Sequence, residues 1–424
     1  MKTKLLLIAS SLALYACQQE EPSMACDPAA LAVDGNSHIS KNRSIEEAIE
    51  IAVNAAQTCD RSRSRAAGRT ATAAGVKVIT DAKSRGGESD SLLYVVNFDD
   101  DKGFVLVPVP RTDKEVLAIV DEGVYDPAVG TDNPGFNLYL DAANNYIRHQ
   151  RDNGGISPQF EITPAIIYKT VIDTIAEYGN FHRLGELAWG QRVPYNKYTP
   201  NGYTGCAPTA MAMIIAGIGS SKTRLEYTFP EKDTPFENVE WINLIYHKRN
   251  SSSSLDVGHI CYSPDREASH NSIARLMRQI GVVAGSVYYT DGSGTGTYPW
   301  TYESTLKFFL PDRAVTSLTD YKSDQVTKIL DWGFLLMRAN SHEGGHAWVA
   351  EGYHFLKTDK MVMEYNPDNK TWRVVTHDIK VMSVTYFNWG WNGLYNGFYE
   401  GSVFEPYDGN SFYDPQYVGV SYIH

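Results

Sequence analysis

Four segments of this sequence carry side chains that could act together on a carbonyl carbon. Cys206 stands in "TGCAPTAMAMII", behind Gly205 and ahead of Ala207-Pro208. Proline is favoured in the first helical turn, where its missing N–H has no intrahelical partner, so the pattern predicts a helix over 206–217 with Cys206 at its start. The partial positive charge of that terminus stabilises a thiolate, the nucleophilic form. Alone, a cysteine so placed reads first as a small buried residue. His346, in "EGGHAWVAEGY", follows two glycines and opens an alternating strand. Beside a helix-start cysteine it could take the thiol proton and later return it to a leaving amine. Asn388 and Trp389, in "FNWGWNGLYNGFY", end a strand; an Asn can fix the tautomer of the imidazole and an indole can shield it from water. Gln191, in "WGQRVPYN", stands fifteen residues before Cys206 (206 minus 191). A glutamine there could join the Cys206 N–H as an oxyanion donor.

The order Cys206, His346, Asn388, with gaps of 140 (346 minus 206) and 42 (388 minus 346), suits a papain-like cysteine peptidase, although the local papain signature around the nucleophile is missing. The four segments, in this order, resemble streptopain and its relatives, the C10 family of secreted bacterial cysteine peptidases, from about Trp189 to Tyr399. That resemblance implies an α+β fold: a papain-like catalytic domain behind a small α+β propeptide that blocks the cleft until it is removed. It also implies Cys206 as nucleophile, His346 as general base, Gln191 as oxyanion donor, Trp389 as the shield of the His, and Asn388 as its orienter. Gly345 and the "DGSGTG" loop around Ser293 are similar to the family's substrate-backbone contacts, and the family's preference implies an apolar pocket for the residue two before the scissile bond. "YVVNFDDDKGFVLVPV" resembles the strand pair of the family's propeptide. Two departures stand out: Ala207-Pro208 and Met213 replace the usual residues after the nucleophile, and "PVPRTDKEV" follows the propeptide strand pair. No metal or organic cofactor is implied. The expected partners are protein or peptide substrates and the intramolecular propeptide inhibitor. Two other readings stay open: a surface lipoprotein that binds a partner with silent chemistry, and an acyltransferase using the same thiol.

The elements that must position these residues are legible in outline. A chain of 424 residues is long enough for two cores. Its formal charge of −12 argues against a nucleic-acid partner, which needs clustered Lys and Arg. The N-terminus, with Lys2, Lys4 and an apolar run from Leu5 to Leu14, predicts an export signal over residues 1–16. Cys17 directly after "LYA" resembles a bacterial lipoprotein signal, which implies lipidation of Cys17 and membrane anchoring; ordinary cleavage nearby is the alternative. Export permits disulfides, and Cys26, Cys59, Cys206 and Cys261 allow three pairings among which the sequence does not choose, a Cys26–Cys59 bridge being one option.

"SIEEAIEIAVNAAQ" (Ser44–Gln57) predicts an amphipathic helix with a capping box, followed by a solvated linker, "RSRSRAAGRTATAAG". Short β-rich runs at "LLYVVNFDDDKGFVLVPV" and "EVLAIVDEGVYD" predict hairpin strands, with Asp99–Asp101 as turn residues. "PGFNLYLDAANNYIRHQ" predicts a helix and "DNGGISPQFEITP" a loop, which sets the division between a propeptide of residues 17–165 and a catalytic domain of residues 166–424. All eight tryptophans lie at or beyond Trp189, so the large core is expected there. It is built from the helix at Cys206, a second at Ser272–Val282, and strands at "WGFLLMRA", "HAWVAEGY", "MVMEYN" and "SVTYFNWGW". Cleavage between about Pro158 and Arg183 is the expected activation step.

Overall fold

Helix α1 (Ile45–Ser62) starts where the Ser44 hydroxyl accepts a hydrogen bond from the Glu47 N–H at 3.2 Å, as a capping sequence requires. Its stripe of Ala48, Ala52, Ala56 and Cys59 is buried against β2 (Ser91–Asn97) and β3 (Phe104–Pro108). These strands, with β1 (Val76–Thr80) before them and β4 (Ala118–Val120) after, pair antiparallel in succession. Asp99–Asp101 form the β2–β3 turn, with Asp100 and Asp101 at positive φ. In this computed structural model the described residues are 41–62, 68–81, 90–153, 168–181, 187–218, 266–342, 344–366, 368–405 and 413–421. The export signal, Cys17, Cys26, Cys261, Pro158 and Arg183 lie outside them.

The predicted solvated linker is corrected at Arg69. This residue is only 6% exposed; its guanidinium donates to the Val120 carbonyl at 3.0 Å and pairs with Asp60 at 2.9 Å, with Asp121 3.7 Å away. A polar, small-residue stretch reads as solvent-facing by composition, but a buried carboxylate on α1 requires a partner.

Helix α2 (Pro134–Asp152) is capped by Asn133, whose side chain accepts from the N–H groups of Gly135 and Phe136 at 3.1 Å each. Its apolar face, Phe136, Tyr139, Ala143 and Ile147, packs on one face of the sheet. Downstream come β5 (Tyr168–Phe181), α3 (Cys206–Ile218), α4 (Arg266–Val283), the short pair β6 (Val287–Tyr288) and β7 (Thr295–Gly296), and α5 (Tyr302–Phe309). They are followed by β8 (Thr319–Asp320), α6 (Ser323–Leu330), β9 (Gly333–Ser341), β10 (Gly344–Asn366), β11 (Thr371–Asn388), β12 (Gly397–Glu400) and β13 (Gln416–Ser421).

One sheet runs through both halves of the chain. Its order is β1-β2-β3-β4-β12-β11-β10-β9-β13-β8, with β5 also on β10. The joint is β4 on β12, where Gly397 pairs with Val120 and Tyr399 with Ala118. Helix α2 covers strands from both halves on one face: its residues share a cluster with Leu93, Leu106, Trp348 and Trp389. The other face of the downstream strands is covered by α3, α4 and α5, which bury Leu336, Ala347, Val349 and Val418.

Two strands differ from the sequence expectation. "HAWVAEGY" and "MVMEYN" are parts of a single 23-residue β10, because the charged stretch between them is paired on both edges, with β11 and with β5. β5 itself has no counterpart in the sequence reading, since its alternation is too polar to stand out without its partner.

Candidate active site

Cys206 is the first residue of α3, as the sequence predicts. The chain reaches it through Gly205 at φ 93°, a left-handed conformation suited to glycine. A Cβ there would stand 3.1 Å from the Thr295 methyl, so the β6–β7 hairpin lies directly against the approach to the thiol. Thr204 holds the other side. Its N–H and hydroxyl donate to the Gln191 carbonyl at 3.1 and 3.3 Å, and its hydroxyl meets that of Thr209 at 2.8 Å. The nucleophile segment and the buried Gln191 are thereby pinned together, two residues upstream of the sulfur.

The thiol, partly accessible and unbridged, is pushed up from its ordinary pKa by burial, against hydrogen bonds from the N–H groups of Ala347, Ala207 and Cys206. The helix terminus acts in the predicted direction, but desolvation outweighs it, so this arrangement favours the neutral thiol over the thiolate that its position alone suggests.

His346 is the third residue of β10 and is buried. Neighbouring residues of a strand point to opposite faces. Ala347 and Val349 point to α3, whereas His346 and Trp348 point to the α2 face. There the imidazole lies parallel to the Trp348 ring, with centroids 6.3 Å apart and planes at 10°, and 6.4 Å from that of Trp389. Its Nε2 lies 3.0 Å from the Trp389 carbonyl. A carbonyl only accepts, so Nε2 carries the hydrogen and Nδ1 is left with the lone pair a base needs. Burial holds the imidazole down to a pKa of about 4, against the raising effect of that carbonyl. The sulfur is met by the Ala347 amide and not by the imidazole. That amide and His346 are adjacent along β10, but thiol and imidazole lie on opposite faces of the strand.

What occupies the imidazole face is the N-terminus of α2. A Cβ on Gly135 would stand 2.7 Å from His346 Cδ2 and 2.9 Å from Nε2, and would collide with Trp389 Cε3. Only a residue without a side chain lets the helix approach so closely.

The remaining predicted residues divide. Trp389 is fully buried beside the imidazole, its indole N–H shared between the Tyr395 carbonyl at 3.0 Å and the Tyr399 hydroxyl at 3.1 Å. The Asn388 carboxamide donates to the Leu187 carbonyl at 2.9 Å and accepts from the Gly390 N–H at 3.2 Å; here the Trp389 carbonyl performs the tautomer-fixing that the sequence assigned to Asn388. Ser293 is exposed, and its N–H and hydroxyl both donate to Asp291, at 2.9 and 2.5 Å. Its loop is tied by Asn201 Nδ2 to the Gly294 carbonyl at 2.6 Å. Gly345 is exposed beside Asn340. Gly135, Trp348 and Tyr302 were not singled out from the sequence. No motif marks them, and only a hydrophobic helix face and a strand period foreshadow the first two.

Comparison with known proteins gives a consistent result. Residues 189–399 match the family described as Peptidase C10. The thiol protease/hemagglutinin PrtT of Porphyromonas gingivalis is 23% identical over 329 residues, 73% of this chain, which spans about a third of that relative's length (33%). The structure of a prointerpain A fragment from Prevotella intermedia aligns with a TM-score of 0.50 and 22% identity, covering 82% of this chain and 99% of the fragment, and so shares its fold. With the region from Trp189 to Tyr399 matched and its cysteine, histidine and tryptophan segments in order, the chain is a member of the Peptidase C10 family.

Proposed function

We propose that the chain is the latent precursor of a cysteine endopeptidase, with residues 17–165 as propeptide and 166–424 as catalytic domain. In the active form, His346 takes the Cys206 proton, the sulfur attacks the substrate carbonyl, and Gln191 with the Cys206 N–H stabilises the oxyanion. Collapse of that intermediate expels the amine, protonated by His346, and leaves a thioester. Water, deprotonated by His346, then hydrolyses the thioester and restores the thiol. The observation that carries this reading is the Ala347 amide at the sulfur, which puts the backbone of His346 one residue from the thiol. Removing α2 from the imidazole would free it, and Gly344-Gly345 give the strand start the backbone freedom to turn His346 towards α3.

An apolar preference two residues before the scissile bond, and anchoring through a lipidated Cys17, complete the proposal. The first is supported by the family relation and the second by the "LYAC" sequence. In the test, Cys206→Ala abolishes cleavage of casein by activated protein while leaving the precursor's melting transition unchanged; retained cleavage would overturn the assignment. N-terminal sequencing of active enzyme should find a new terminus between about Pro158 and Arg183. Adding a primary amine to a peptide digest separates hydrolysis from acyl transfer, because hydrolysis leaves no amine adduct by mass spectrometry.

A further inference from the structure

Two aromatic side chains that follow the β6–β7 hairpin are turned to water. Trp300 is 69% exposed and Tyr298 48%, whereas Trp189, Trp348 and Trp389 are fully buried. The two rings stack, with centroids 4.3 Å apart and planes at 15°. Stacking covers one face of each, leaving an outer face open. Large aromatic rings held in water are costly unless something covers them in the working state.

Their place in the chain ties them to the cleft at both ends. Three residues before Tyr298, Thr295 lies against Gly205, next to the nucleophile. Two residues after Trp300, the buried hydroxyl of Tyr302 lies within electrostatic reach of Cys206. Consecutive Cα atoms are about 3.8 Å apart, so Trp300 stands at most ~8 Å along the chain from Tyr302, whose hydroxyl feels the thiol electrostatically. The shelf is also rigid. Thr301 donates to the Tyr298 carbonyl through both its N–H, at 3.1 Å, and its hydroxyl, at 2.8 Å. Ser286 and Thr297 join hydroxyls at 2.7 Å, and Thr295 donates to the Tyr203 carbonyl at 2.8 Å. Rings held by such a frame lose little entropy when a ligand covers them.

We propose that Tyr298 and Trp300 form an aromatic shelf at the mouth of the cleft that takes one flat, apolar side chain of the bound polypeptide, a proline or an aromatic ring. This contact rests on Cys206 being the nucleophile of a peptidase. The two stacked side chains offer rings and carry no charge themselves, so they favour ring-bearing residues through face-to-face and C–H to ring contact over small ones.

The test uses the full chain after activation, with quenched fluorescent peptides in which one position at a time, on either side of the scissile bond, is Ala, Phe or Pro. The wild type should show a position at which Phe or Pro raises kcat/KM about tenfold over Ala, carried by KM. Trp300→Ala should erase that preference, Trp300→Phe should keep most of it, and Tyr298→Ala should weaken it. The all-Ala peptide and the rate of Cys206 alkylation by iodoacetamide should be unchanged in all three. A preference that survives Trp300→Ala, or an equal loss on every peptide, would overturn the shelf while leaving the peptidase reading intact. A wild-type protein that cleaves no peptide would overturn both.

Discussion

The two faces of β10 prepare two reactive groups in opposite ways. On the α3 face, Cys206 is partly open, reached through a rigid turn, and bordered by a hairpin whose hydroxyl and amide bonds hold its shape. On the α2 face, the His346 imidazole is sealed among Trp348, Trp389 and Gly135. In the proposed precursor the thiol is already in its working place and the base is withheld from it. A precursor built this way keeps the harder part of the site, the nucleophile and its helix, assembled from the start, and switches the easier part, one side chain at the glycine-rich start of a strand.

The strongest way to break this asymmetry is to fill the space that Gly135 leaves. Gly135→Val places atoms within the van der Waals shells of His346 and Trp389, and should destabilise the docked α2 by about 3 kcal/mol. The measurement is the rate of self-processing at neutral pH, which should rise about tenfold or more. Asn137→Ala, on the same helix, loses a hydrogen bond to the Thr131 carbonyl and touches neither ring. It should process close to the wild-type rate, and an equal acceleration in both variants would show that general loosening of α2, not the packing on His346, controls latency.

Removing Arg69 attacks the propeptide from the opposite side of the sheet. Arg69→Met removes the guanidinium that Asp60 and Asp121 face, and should lower precursor stability by about 3 kcal/mol in urea unfolding. It should leave the thiol alkylation rate of the folded precursor unchanged, because the groups that its guanidinium meets, Asp60, Asp121, Val120 and Phe98, all belong to the upstream half.

Acid sharpens the comparison because, of the two reactive groups, it changes the charge of the imidazole and not that of the thiol. His346 is held at a pKa of about 4 against an ordinary 6.5, so the unfolded chain binds the proton more readily than the folded precursor. The stability associated with the neutral, buried imidazole is fully present above about pH 6.5 and is lost as pH falls through 4, by about 1 kcal/mol at about pH 5.5 and about 3 kcal/mol at the acid limit. The stability advantage of wild type over His346→Gln should therefore shrink as pH falls; parallel curves would show that the imidazole is not sealed. The smallest effect is expected at Asn388. Its carboxamide bridges Leu187 and Gly390, so Asn388→Ala should cost about 1–2 kcal/mol of stability with little change in the pH dependence of processing.

Much of the site was legible because its signals are local. A cysteine before Ala-Pro and an apolar run marks a helix start, and Ser44 three residues before Glu47 marks another; each is satisfied within one turn of chain. What was not legible depends on partners far along the chain. Arg69 looked solvated until Asp60 and Val120 came next to it, and the two strand segments of β10 read as separate until β5 and β11 flanked the polar stretch between them. Asn388 was assigned to the imidazole from its place at a strand end after His346 and from the Cys–His–Asn order, whereas in this arrangement the ring meets the Trp389 carbonyl.

By itself the sequence determined that a thiol would stand at a helix N-terminus and that residues 346 and 347 would point to opposite faces of a strand, since both follow from the geometry of a few consecutive residues. Only the tertiary structure decided which face meets α3 and which meets α2, and with it whether the imidazole reaches the sulfur. That choice is made by packing between segments more than 200 residues apart, Gly135 against His346 (346 minus 135) and Trp389, where no local pattern carries information.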